Sequence, residues 1–265
     1  MNLHSLLNSV EGSLPLLASR QNLKAFIGYD GYIDKIQRVV RSKDLQGSDF
    51  FPSIGHLAER LGELSGMSGQ LELVTSEIKI GGNAPIMAHA LASLGVSNWC
   101  VGGLDHPIFD QMHGGCERVS IGSPAETNAL EFDDGKIILS EVSVFKQWKW
   151  SFIRDKAGLD RLWRTYQGSD LIAFVDWANV PFANDLWKGY LNEVVRPQMD
   201  MRNTIPLFFF DLADPSKRSA GEIREALDIV AQYQEFGRVF LGMNENEARR
   251  IWAVMKVTDP RGTVR

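Results

Sequence analysis

The sequence predicts an α/β protein built on a mainly parallel sheet covered by helices on both faces. Three observations carry that prediction. Strand and helix signals alternate regularly through the second half of the chain, the pattern of a parallel sheet whose strands are joined by helices. The strongest apolar runs, "LIAFV" from residue 171 and "PLFFF" from 206, have the length of buried strands. The 265 residues are 44% hydrophobic and 23% charged with no low-complexity run, enough to bury a substantial core in one large domain.

The elements follow in order. Leu3, Leu6, Leu7 and Val10 fall at helical spacing without a charged n-region and long apolar core, so the first residues predict an amphipathic helix and not an export signal. "LKAFIGYDGYID" runs from an apolar strand, Ala25–Ile27, into glycines and two aspartates, which sets Asp30 and Asp34 near a strand terminus. From 49 to 65, Phe50, Phe51, Ile54, Leu57, Leu61 and Leu64 mark one helix face. "QLELVTSEIKI" alternates as a half-exposed strand, with an interruption near Thr75. In "IGGNAPIMAHALASLG", residues 80–95, Met87, Ala90, Leu91 and Leu94 form a helix closed by Gly95, and "NWCVGGLD" follows as the next strand. Residues 127–144 read as a hairpin turning at Asp134-Gly135, with polar residues on both arms that predict an exposed sheet. Strands are then predicted at "DLIAFVD", "IPLFFFDLAD" and "RVFLGM". Helices are predicted from Pro181 to about Val195, from Ser219, and over "NENEARRIWAVM".

Several function classes drop out. A net charge of -5 provides no basic field for nucleic acid, and Arg38, Arg41 and Lys43 read as a solvated strand end. Cys100 and Cys116 are the only cysteines, with no CxxC pair or histidine cluster, so neither a disulfide framework nor a zinc site is implied and a reducing cytoplasm is the default. The apolar runs fall far short of the ~20 residues that span a bilayer, so no membrane association is expected. A nucleotide-binding oxidoreductase would need a GxGxxG fingerprint that the chain lacks.

In parallel sheets ligands sit beyond the C-terminal strand ends, where Asp30, Asp176, Asp211 and Asn244 are all expected. Gly81 and Gly82 precede a helix whose free N–H groups could bind an anion, but a tight turn explains them equally well, and no P-loop surrounds them. Asn244 and Glu247, like Ser219 and Glu222, have capping-box spacing, worth ~1 kcal/mol of helix stability. Asp176, Trp177 and Asn179 end a strand and can edge a cleft, although Trp177 equally suits core packing. His89 lies in an apolar helix without a metal-binding partner nearby and reads as a packed or surface histidine.

"YDGYID" (29–34), "IGGNAPIMAHALASLG" (80–95), "FFFDLADPSKR" (208–218) and "GMNENEA" (242–248), in this order, resemble the ribokinase-like (PfkB) family of carbohydrate kinases from about residue 24 onward. The resemblance implies one doubly wound α/β domain over residues 1–265, with a small β lid drawn from about 32–45, 68–80 and 120–145. It implies transfer of the γ-phosphoryl group of ATP, with Mg2+, to a hydroxyl of a sugar or nucleoside, and it allows a homodimer through the lid. Asp30, Asp34, Gly81, Gly82 and Asn83 match the substrate side, the double glycine acting there as a hinge between lid and body. Asn244 and Glu247 match an NxxE motif that organises magnesium-bound water and phosphate, with no direct metal ligand, and Arg218 falls on the phosphate side. Ile86 stands where the family usually has asparagine, which removes one sugar hydrogen bond. The family's catalytic GAGD segment does not occur, so the catalytic aspartate has no counterpart, and "KVTDPRGTVR" reads as the end of a truncated kinase whose sheet lacks its C-terminal part. The expectation is an impaired or inactive kinase; the alternative is a non-catalytic sugar- or nucleoside-binding or assembly module with the same fold.

Overall fold

The computed structural model describes residues 22–202 and 204–256. The predicted helix at Leu3–Val10 and the segment "TDPRGTVR" lie outside the described residues. In chain order the elements are β1 (Lys24–Gly28), β2 (Tyr32–Lys43), β3 (Ser48–Phe50), α1 (Ile54–Glu63), β4 (Leu73–Gly81), α2 (Asn83–Ser93), β5 (Ser97–Gly102), β6 (Cys116–Ser120), β7 (Ala125–Phe132), β8 (Gly135–Glu141), α3 (Trp150–Ala157), α4 (Leu159–Gly168), β9 (Leu171–Phe174), α5 (Ala183–Tyr190), β10 (Leu207–Asp211), α6 (Ala220–Gln232), β11 (Arg238–Gly242) and α7 (Glu245–Lys256).

Six of these strands form a parallel sheet in the order β11-β10-β9-β1-β5-β6. The expected parallel sheet is therefore present, and the direction of strand order changes at β1, which places a crevice beside its C-terminal end. The two faces are packed differently because alternate strand residues differ in size. On one face Phe26, Phe174, Phe208 and Phe210 meet Trp187, Tyr190 and Tyr233, with ring centroids 4.8 Å apart for Trp187 and Phe210 and 5.1 Å for Phe174 and Tyr190. On the other, Ala25, Ile27 and Ala173 meet Ala84, Ala88 and Ala92 of α2, whose short side chains let the helix lie close to the sheet. Close seating of α2 fixes where its first turn points.

The second sheet is the lid. Its long strand β2 pairs antiparallel with β4 and parallel with β7, which continues antiparallel into β8, while β3 pairs with the far end of β2. The interruption expected near Thr75 is a β-bulge: Ile36 pairs with Glu77 and Gln37 with Thr75, leaving Ser76 extra, and the Ser76 hydroxyl donates to the Ile36 carbonyl at 3.1 Å.

Three local expectations change. Helix α1 starts at Ile54, not near 49, because Pro52 disfavours a helical Phe51 and the Ser53 hydroxyl caps the helix by accepting from the His56 N–H at 3.2 Å. The first arm of the 127–144 hairpin is not fully exposed: Leu130 and Phe132 of β7 pack with Val39, Phe51 and Leu57. Polar residues on β7 had masked a face covered by α1. Finally, Pro181 precedes the helix instead of opening it, since α5 begins at Ala183 and gives way to a π-turn at Leu191–Val195.

Candidate functional site

Three aspartates meet at the C-terminal ends of neighbouring parallel strands, Asp30 after β1, Asp176 after β9 and Asp211 at the end of β10. Asp30 is fully buried, and its carboxylate caps α2: Oδ2 accepts from the Asn83 N–H and Oδ1 from the Ala84 N–H, each at 2.6 Å. The unpaired first-turn donors of α2, the anion site the glycines suggested, are thus taken by a carboxylate of the protein itself. Asn83 also turns its side-chain amide to Asp211, donating to Oδ2 at 3.0 Å, so one residue ties two of the three aspartates together.

Asp176 sits in the left-handed region with φ of 61° and is 3% exposed. Its Oδ2 accepts from the Tyr32 hydroxyl at 2.8 Å and its Oδ1 from the Asn179 side-chain amide at 2.6 Å. Lys217 extends the chain, donating from Nζ to Asn179 Oδ1 at 2.7 Å. Strained backbone held by this many partners marks a site more often than a plain core position. Burial pushes the Asp176 carboxyl up to about 6 against the lowering effect of the Tyr32 and Asn179 hydrogen bonds, and Asp211 adds repulsion. Burial, then the charge of Asp176, raises Asp30 well above the ordinary carboxylate range despite its two N–H donors. The Tyr32 hydroxyl is raised as well, by burial first and then by Asp176. Carboxyls perturbed together in a cleft are a signature of functional sites.

The lid contributes Asp34. Its register partners across β2 are Lys79 on β4 and Thr127 on β7. Burial raises this carboxyl, while a hydrogen bond from Thr127 and the charges of Lys79 and Lys136 oppose the rise. The double glycine serves both sides of the cleft. A Cβ on Gly81 would lie 2.3 Å from Asp34 Oδ1, so only glycine leaves room for that carboxylate; Gly82 has φ of +95°, and a Cβ there would come within 3.2 Å of the Gly31 Cα. Lid and body enclose a cavity of about 760 Å³, lined from the lid by Asp34, Ile36, Thr127 and Ile138 and from the body by Asp30, Asn83, Asp176, Asn179 and Lys217. That volume suits a small organic ligand with several hydrogen-bonding groups.

The structure brings Asp30, Asp34, Gly82 and Asn83 to this cavity, with Gly81 against Asp34. Asn244 and Glu247 are not among its lining residues. They form a reciprocal cap on α7, with the Asn244 N–H donating to Glu247 Oε2 and the Glu247 N–H to Asn244 Oδ1, both at 3.0 Å. Among the described residues no group of three or more His, Cys, Asp or Glu side chains is placed to hold a metal ion. Arg218 reaches the cavity wall, but its terminal nitrogens donate to backbone carbonyls and to Glu222. Ile86 is 52% exposed on α2 and does not line the cavity. Tyr32 and Thr127 escaped the sequence reading. Tyr32 lies inside "YDGYID" and Thr127 alternates on β7 with buried positions, but their partners, Asp176 and Asp34, are 144 and 93 residues away in the chain. No helix among the described residues is long and apolar enough to cross a membrane.

A parallel sheet flanked by helices, with a small β lid over its strand ends, is the ribokinase-like fold. A carbohydrate kinase from Agrobacterium tumefaciens superposes with a TM-score of 0.52 at 16% identity, covering 86% of this chain and 63% of that one. A nucleoside kinase from Methanocaldococcus jannaschii, an archaeal member of the ribokinase family, also gives a TM-score of 0.52, at 14% identity over 89% of this chain and 66% of that one. The chain belongs to the prokaryotic ketohexokinase family, whose family model matches residues 6–263. A ketohexokinase from Haloferax volcanii is 28% identical over 234 residues, or 85% of this chain and 61% of the relative. The chain therefore spans about three fifths of that relative's length.

Proposed function

We propose that this chain carries the acceptor-binding half of a sugar kinase, holding a sugar in the cavity between lid and body so that a hydroxyl can take the γ-phosphoryl group of ATP. The convergence of Asp34 on the lid with Asp30, Asn83 and Asp176 on the body carries this reading. A polyol needs several acceptors and donors from different directions, and a carboxylate such as Asp34 accepts from two hydroxyls at once. Membership of the prokaryotic ketohexokinase family makes a ketohexose the first candidate, ahead of an aldose or nucleoside. ATP would supply the phosphoryl group and Mg2+ would neutralise its charge; the residues described here would bind and orient the acceptor and exclude water from it. Because no GAGD motif occurs in the 265 residues, we infer slow or absent transfer by these residues alone.

Thermal-shift and calorimetric titration with a panel of ketohexoses, aldohexoses, pentoses and nucleosides tests the reading. At a free sugar concentration of about 100 times Kd, linkage adds roughly 2.7 kcal/mol of stability to the wild type. The Asp34→Asn variant should lose most of that gain. The reading fails if no sugar or nucleoside stabilises the wild type, or if the variant gains equally. An ATP-coupled assay on the same 265 residues tests the inferred slowness, and rapid turnover would refute it.

A further inference from the structure

We propose that Arg218 is the positioning residue of this site: it grips the loop 177–181 by its backbone carbonyls and so holds Asp176 and Asn179 toward the cavity, and it is not a phosphate ligand. The purpose of that loop rests on the acceptor-binding reading above; the grip itself does not.

Arg218 lies between β10 and α6, and its side chain is only 10% exposed. Nη1 donates to the Pro181 carbonyl at 3.0 Å and to Glu222 Oε1 at 2.7 Å; Nη2 donates to the Trp177 carbonyl at 3.0 Å and to the Val180 carbonyl. The guanidinium also lies over the Trp177 ring, 4.9 Å from its centroid. A guanidinium has five N–H donors, and four are now assigned; the buried Nε has no protein partner. The paired grip that makes arginine a strong phosphate ligand needs two adjacent donors, so Arg218 could take it up only by releasing a carbonyl.

The grip is anchored and it is transmitted. On the anchoring side, Glu222 belongs to the capping box of α6, where its Oε2 accepts from the Ser219 N–H at 3.0 Å. On the other side, the Trp177 N–H donates to the Asp211 carbonyl at 3.3 Å and the Ala178 N–H to the Leu212 carbonyl at 3.1 Å, which seats the loop on the end of β10. Asn179, the next residue, bonds Asp176, and Asp176 bonds Tyr32 at the root of the lid. A rigid helix start is thereby connected through Arg218 to Asp176 and Asn179, the polar side chains that this loop and its root bring to the cavity. The neighbouring basic residue divides the work, since Lys217 reaches the side chain of Asn179 while Arg218 holds backbone.

The test compares wild type with Arg218→Lys, which keeps the charge but cannot reproduce a planar four-donor fork, in the full 265-residue chain. Amide hydrogen exchange at Trp177 and Ala178, calorimetric titration with the sugar found in the panel, and titration with inorganic tripolyphosphate are read together. In the variant, exchange at these two amides should be about tenfold faster and the sugar Kd about tenfold weaker. Tripolyphosphate binding should change by less than about twofold, because the charge is retained. Millimolar guanidinium should restore part of the sugar affinity in Arg218→Ala, a rescue that a purely general loss of stability would not show. Unchanged exchange and sugar affinity with lost tripolyphosphate binding overturn the proposal. If the wild type binds no sugar, the acceptor-binding reading falls, and the exchange contrast alone still decides whether Arg218 holds the loop. Should Arg218→Lys not fold, Glu222→Gln, which frees the anchor of the same grip, is expected to speed exchange at the same amides, and no change there overturns the proposal.

Discussion

Asp176 is a charge held where the fold would prefer none, and replacing it with asparagine should stabilise the protein at neutral pH. Burial lifts its carboxyl from the ordinary 3.8 to about 6. A shift of that size corresponds to roughly 3 kcal/mol of destabilisation for the ionised form at pH 7, at 1.36 kcal/mol per pH unit. An asparagine keeps an oxygen for the Tyr32 hydroxyl but presents an amide nitrogen to Asn179, forfeiting about 1 kcal/mol. The net gain is then about 2 kcal/mol, or roughly 4–8 °C in melting temperature for a chain of this size. The sign depends on pH. A carboxyl raised in the fold loses stability for the protein as pH rises between 3.8 and about 6, and the deficit persists above that window. Asp30 and Asp34 are raised too and add the same slope; Asp34 keeps its shift in the variant, whereas Asp30 loses the part due to the Asp176 charge, which adds to the gain. Scanning fluorimetry of wild type and Asp176→Asn from pH 4 to pH 7.5 should therefore show the variant melting slightly lower near pH 4, where only the lost hydrogen bond counts, then crossing the wild type and separating to a higher plateau near pH 7. A variant that melts lower at pH 7, or a gap independent of pH, would refute the account of Asp176 as a desolvated charge retained for function.

Other outcomes follow from the same geometry. Gly81→Ala places a Cβ 2.3 Å from Asp34 Oδ1, so the carboxylate must swing aside, and sugar affinity should fall by roughly tenfold or more in calorimetry while the far-ultraviolet circular dichroism is retained. Trp187→Ala opens the aromatic layer at a residue 2% exposed and should cost ~3–5 kcal/mol in urea melts. Thr127→Val removes the hydroxyl that hydrogen-bonds Asp34, and carbon-13 titration of that carboxyl should show its pKa moving further up.

Much of the body was readable because its signals are local. The alternation of apolar runs with amphipathic stretches is a consequence of burying strands on both faces, and it marked β1, β9, β10 and β11 together with α2, α6 and α7. The aspartates at strand ends could be placed for the same reason, since a strand's end is visible where its apolar run stops. The lid was less legible. Its strands are covered on one face only in part, so Phe50 and Phe51 mimicked a helix face that β3 and Pro52 interrupt, and Leu130 and Phe132 were hidden among polar neighbours.

The sequence alone thus determined an α/β chain with a parallel sheet, glycines poised before α2, and carboxylates waiting at strand ends. Only the tertiary structure decided who meets whom. It brought Asp30 onto the first turn of α2, where it occupies donors that the sequence left open to an anion, and it set Tyr32 against Asp176 across 144 residues of chain. It also turned Arg218 from a cation near a cleft into the fastener of a loop. The physical reason is range: propensity and periodicity act over a few residues, whereas a hydrogen bond between two strand ends exists only once the sheet has brought them within 3 Å of each other.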